Sequence, residues 1–189
     1  MGLSFARIQL RQGFTLIEIM VVVAIIGILA SVLFVSFEEG RQQSRDKFRQ
    51  AELKELQLAI ELYKAQYGQY PEQGCLSGPN NSGVWSGPGP LPSWGVTCDQ
   101  YIVGLAPDFV ASLPRDPNKE DEDGKGFIYR TNADRSAYKV LVHQSVESQL
   151  VTSAADEFAR CPQEYPGYVA CTPVRPTEYA IYSVGAENW

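Results

Sequence analysis

No charged side chain occurs between Ile19 and Phe37, no proline precedes Pro71, and Met1–Gly13 holds no acidic residue. The first absence excludes an ordinary surface helix over that run, because a helix of a soluble protein is rarely apolar on all sides for so long. No second stretch of this kind follows, and everything beyond Phe37 is soluble in composition. Histidine is confined to His143, in the strand-like run KVLVHQ, and no GxSxG, HExxH or phosphate loop appears. Ser44 and Lys47 have SxxK spacing, but on a charged helix face. Catalysis therefore finds no foothold, and a non-enzyme is expected. CxxC spacing is absent too, which argues against zinc. With 16 basic against 22 acidic side chains, net −6, and no basic stripe, direct nucleic-acid binding is not expected.

What is present begins with the apolar run itself. From Phe14 to Phe37 it is long enough, at about 1.5 Å per residue, to cross a hydrocarbon core of about 30 Å. Arg7 and Arg11 precede it, and Glu38 and Glu39 follow. That asymmetry predicts a cytoplasmic N-terminus and a translocated C-terminal part. The run is too long for a cleaved secretory signal, and the best small residue, Gly13, sits before it, so any cleavage is expected on the cytoplasmic side. Glu18 breaks the pattern. It lies about 6 Å of helix rise from Phe14, close enough to an interface to snorkel. If the chain were cut after Gly13, the new amine on Phe14 could meet Glu18 of a neighbouring helix. In a dry bundle a paired charge is tolerated and an unpaired one is not.

The stretch GFTLIEIMVVVAIIGILA, residues 13–30, resembles the N-terminal signature of type IV prepilins and of the pseudopilins of type II secretion systems. The resemblance implies a leader of residues 1–13, removed by a prepilin peptidase between Gly13 and Phe14. It implies N-methylation of Phe14, polymerisation through the hydrophobic helix (residues 14–40) with Glu18 as an assembly residue, and an inner-membrane assembly platform as partner. Without the leader the balance becomes 14 basic against 22 acidic, or −8. Many relatives carry a proline late in the apolar helix; this chain has none there.

The fold expected is α+β: a long helix from about Phe14 to Tyr67, apolar then amphipathic, packed on a small antiparallel sheet. The head spans 41–189, with an amphipathic helix over 41–67, a loop over 68–100 and a β region over 101–189. Leu53, Leu56, Ile60, Tyr63 and Tyr67 mark the packing face, widened by Leu58, Leu62 and Ala65, and charges such as Arg45, Asp46, Lys47 and Arg49 fill the rest. Gly68 is the expected C-cap. Trp85 and Trp94 are expected to tack the Gly/Pro-rich loop onto the head, the alternative being that they face a partner. Tyr101–Leu113 reads as a short helix, and residues 126–131, 137–144 and 178–185 read as strands, the first two joined by NADRS. LPRDP at 113–117 and the closing AIYSVGAENW resemble the head of major pseudopilins.

All four cysteines lie in the head. Four allow three pairings, and the pattern suggests Cys75–Cys98 and Cys161–Cys171 in an oxidising compartment. The acidic run at 115–126 offers Asp121 and Asp123 as calcium ligands, a site that major pseudopilins carry; its spacing is not that of an EF-hand, and a solvated turn is the plainer reading. The function expected is a structural subunit of a type IV pilus-like filament, with self, other pilins and membrane lipid as partners. The alternative is a pseudopilin of a type II secretion pseudopilus. A non-polymerising anchored binding protein fits Glu18 less well. The chain is expected in the cytoplasmic membrane before assembly, head outside, and then in an extracellular pilus or a periplasmic pseudopilus.

Overall fold

The computed structural model describes residues 13–75, 84–89, 91, 95–118, 124–162 and 175–189, with backbone alone at 32–36. Two compact units divide at Gly40: Met1–Gly40 and Arg41–Trp189. Helix α1, Leu16–Tyr67, begins in the first unit and ends in the second. No proline interrupts it, and Gly68 closes it with φ +78° and an N–H bond of 2.7 Å to the Lys64 carbonyl.

In the second unit the sheet has five strands in the order β2-β1-β3-β4-β5: β1 Trp85–Gly87, β2 Gly95–Thr97, β3 Gly126–Thr131, β4 Tyr138–His143 and β5 Tyr179–Tyr182. β3 and β4 form the expected hairpin, with Thr131 opposite Tyr138, and β5 pairs antiparallel with β4. The sheet is mixed rather than wholly antiparallel, because β1 and β2 pair in parallel. Those two short strands lie in the stretch expected to be loop. Three-residue strands among prolines and glycines leave no period-2 run to read.

The core sits between α1 and the sheet. Leu53, Leu56, Ala59 and Ile60 pack with Phe127, Tyr129, Tyr138, Val140, Val142, Tyr179 and Ile181. Three expectations for this region are corrected. Leu58 and Leu62 do not widen the packing face; they are 63% and 50% exposed, Tyr67 is exposed, and so is Ala65. Asp46 and Arg49 do not face solvent; both are fully buried. Tyr101–Leu113 forms turns rather than a helix, since Gly104 takes φ +74° and Pro107 removes a donor. Leu105 is nevertheless buried there, with Phe109 and Leu113 packed against the core.

The reverse face of the sheet is covered as well. Trp85, Ile128, Leu141 and Ala180 form a second cluster with Leu91, Tyr182 and Trp189 against it. Trp85 thus does tack its segment onto the head; Trp94 lies outside the described residues. Cys75 and Cys98 form a disulfide with Cα atoms 5.7 Å apart. Beside it, a Cβ on Gly74 would stand 1.9 Å from the Gln100 carbonyl oxygen, so only glycine fits. Cys161 is disulfide-bonded and buried, and Cys171 lies outside the described residues.

Candidate functional site at the start of the long helix

Gly13 and Phe14 precede α1 in non-helical conformation, and Phe14 is 85% exposed. Thr15 is the N-cap. Its backbone N–H and its hydroxyl both donate to Oε2 of Glu18 at 2.7 Å, while the Glu18 N–H faces the Thr15 hydroxyl oxygen at 3.3 Å. This is a capping box, which satisfies the donors that a helix start leaves open. It gives Glu18 a role inside its own chain that the sequence reading missed, although Thr-x-x-Glu ahead of an apolar run was its signal. Oε1 accepts no hydrogen bond among the described residues. Phe14, Ile17, Glu18, Val21 and Val22 line an open apolar hollow of about 400 Å³. Along the same helix Leu16, Ile17, Val21–Val23, Ile25, Ile26, Ile28 and Leu29 are all exposed.

Among the described residues no helix is long and apolar enough to cross a membrane. The described side chains of the apolar run stop at Ser31, and helix from Leu16 to there rises about 24 Å, short of a core of about 30 Å. The span expected up to Phe37 lies in part outside those side chains.

In the head, α1 is fastened by a buried ionic cluster. The Asp46 carboxylate accepts the backbone N–H groups of Glu147, Ser148 and Gln149 and the Ser148 hydroxyl, at 2.6–3.2 Å. Arg49 donates twice to Asp116 at 2.8 Å, and its Nη1 reaches Asp46 at 2.8 Å and Glu147 at 2.9 Å. Arg45 forks onto Glu147 from the same helix. Burial opposes the charge on Asp46, but the three loop N–H groups outweigh it and hold the carboxyl below its ordinary range. LPRDP thereby acquires a physical reason: Asp116 receives the Arg49 fork, and the Pro114 carbonyl accepts the Tyr101 hydroxyl at 2.9 Å.

His143 is packed, with Nδ1 2.7 Å from Glu178, whose other oxygen takes Arg160 at 2.5 Å. Burial pushes the Glu178 carboxyl up, but His143 and Arg160 together hold it below its usual range. Among the described residues no group of three metal-ligating side chains occurs, and Asp121 and Asp123 lie outside them.

Residues 9–34 match the family described as the prokaryotic N-terminal methylation motif. The chain is similar to the type II secretion system core protein G of Pectobacterium carotovorum subsp. carotovorum, 29% identical over 117 residues, 60% of this chain and 67% of that one. The same protein of Klebsiella pneumoniae is 37% identical over 68 residues, 35% of this chain and 49% of that one. The type IV major pilin protein PilE1 of Neisseria gonorrhoeae is 37% identical over 71 residues, 36% of this chain and 42% of that one. The matched stretches thus span about two thirds of the first relative and about half or less of the other two. No solved structure matches.

Proposed function

We propose that this chain, which carries the N-terminal methylation motif and belongs to the type IV pilin and pseudopilin family, is a structural subunit of a pilus-like filament. A prepilin peptidase cuts between Gly13 and Phe14, and the new Phe14 amine is N-methylated. The apolar half of α1 then holds the chain in the cytoplasmic membrane, with the head outside, until an assembly platform draws it into the filament.

The start of α1 carries this reading. A carboxylate stands near the start of α1, whose stretch from Leu16 to Leu29 is otherwise apolar and exposed, with one oxygen engaged by Thr15 and the other open. Water does not favour such a surface, whereas neighbouring helices of the same kind would bury it, at about 25 cal/mol per Å² of apolar area. The open oxygen then suits an amine from an adjacent copy.

Intact-mass measurement of the assembled protein tests the processing step. A chain beginning with methylated Phe14 is expected; one that keeps Met1, or is cut after residue 30, refutes it. Electron microscopy of sheared surface filaments, with mass spectrometry of their subunits, tests the assembly.

A pseudopilin of a secretion pseudopilus is the second reading. It is favoured by the 117-residue match to core protein G, which reaches well beyond the N-terminal motif. Deletion separates the two: loss of surface filaments supports the first, loss of protein secretion with filaments intact the second.

A further inference from the structure

One row of side chains on the reverse face of the sheet carries charge as well as hydrocarbon. Ser86 pairs with Tyr129, Arg130 with Lys139, and Lys139 with Tyr182. The antiparallel register therefore sets Trp85 of β1, Arg130 of β3, Lys139 of β4 and Tyr182 of β5 side by side, away from α1. Two like charges stand directly opposite each other on neighbouring strands, an arrangement that opposes folding unless something offsets it.

For Lys139 the offset is local. Its amine donates to the main-chain oxygens of Glu187 and Trp189 and lies 4.8 Å from the centre of the Tyr182 ring. Burial, and then Arg160, push it down to about 7, so at neutral pH it is only partly charged. Arg130 is held differently. No hydrogen bond or ion pair engages it among the described residues, its Nε is buried without an acceptor, and burial pushes its pKa below the ordinary range. What holds it is aromatic: its Cζ lies 4.8 Å from the Trp189 ring centre and 5.8 Å from that of Trp85. The rings take the face of the guanidinium and leave its edge unmet. Nη1 and Nη2 are without an acceptor too but, unlike Nε, are not enclosed.

We infer that the N–H edge of Arg130 is a binding site for a carboxylate, carried on an acidic polypeptide segment of a partner protein. A guanidinium fixed by its face presents two parallel donors at the spacing of two carboxylate oxygens. The charge count favours a carboxylate over a phosphate: the neighbouring amine is already spent on main-chain oxygens, so the site offers one full positive charge for one negative. A sugar ring fits less well, because Trp85 is buried and Trp189 already gives a face to the guanidinium. The site lies wholly in the head, so it is independent of assembly through the apolar helix.

The test is a titration of the ¹⁵N-labelled full chain in micelles, read by the arginine Nε–H signals and by indole fluorescence, with Arg130→Lys assigning the Arg130 signal. Hexaglutamate should move that signal saturably and change the indole emission, and hexaglutamine should do neither. Arg130→Gln should weaken hexaglutamate binding about tenfold or more. Arg130→Lys, which keeps the charge and loses the fork, should weaken it as well. An Arg130 signal that stays in place overturns the inference, as does an affinity unchanged in both variants. Equal effects of inorganic phosphate and hexaglutamate at one concentration would show a general anion site, and tighter binding of oligoglucuronate a site for acidic sugars; either outcome also overturns it.

Discussion

At the scale of single residues, Glu18 serves two requirements that can be separated. As the closing residue of a capping box it stabilises the start of α1, and in the filament proposed above its carboxylate would meet an amine from another copy. Glutamine can still close the box but carries no charge; valine does neither. Thr15→Val removes the cap, at a cost of about 1 kcal/mol, and keeps the charge. We expect Glu18→Gln and Glu18→Val to lower incorporation into filaments alike, and Thr15→Val to spare it, as read by immunoblot of sheared material. If Glu18→Gln assembles as wild type does, the cap is what matters. Arg49 presents the opposite situation, a charge with no exposure and three carboxylate partners. Arg49→Met leaves Asp46 and Asp116 buried without it, and removing one partner of a buried pair costs about 3–5 kcal/mol. Urea unfolding of the full chain in micelles should show that loss; a change below about 1 kcal/mol would mean that the carboxylates find other donors.

At the scale of elements, α1 shows what could and could not be read in advance. Its extent was legible, because helix formers run without proline to Gly68. The hairpin of β3 and β4 was legible because β-branched and aromatic residues flank a short turn. The inner face of α1 was legible only in part. Leu53, Leu56 and Ile60 recur at alternating steps of three and four, but so do Leu58, Leu62 and Ala65 on the other side. Periodicity alone cannot decide which of two apolar stripes meets the sheet. Nor could it show that Asp46 and Arg49 are buried, since their partners Asp116 and Glu147 are far away in the sequence. The short β1 and β2 were hidden because their composition is that of a loop and because the strand that joins them to the rest of the sheet, β3, lies far along the sequence. The capping box was local, and lay in plain view as Thr-x-x-Glu. The contrast between the two stripes is measurable. Leu56→Ala should destabilise the head by about 2–5 kcal/mol, whereas Leu62→Ala should change its stability by no more than about 0.5 kcal/mol. Equal effects in chemical denaturation would mean that the second stripe is covered within the single chain.

At the scale of the whole molecule, the buried charges predict how stability follows pH. Asp46, Glu147 and Glu178 are all held below their ordinary values of 3.8, 4.5 and 4.5. Carboxylates with depressed values contribute stability that is present above those ordinary values and is lost as pH falls through the lower folded ones. The chain should therefore keep its fold down to about pH 4 and lose stability below it. The alkaline limb is set by Lys139 on β4. Fully buried, it donates to the main-chain oxygens of Glu187 and Trp189 at 3.0 and 3.2 Å and lies over the Tyr182 ring. Burial, and then the positive charge of Arg160, push it down to about 7 from 10.5. Between those values the unfolded chain binds a proton that the folded chain does not, so stability rises with pH across that window. Tyr101 and Tyr129 act in the other direction. Burial lifts both well above 10, so the folded chain retains protons that the unfolded chain releases, and stability falls once pH passes 10. The two effects place the stability maximum on the alkaline side, near pH 10, rather than at neutrality. Thermal midpoints of the full chain in micelles, taken from pH 3 to 11, should climb from 7 towards 10 and then decline. Lys139→Met should flatten that climb and leave the acid limb unchanged. A midpoint that falls steadily from pH 7 to 9 would mean that Lys139 stays charged inside the head, held there by Glu178 and Glu187.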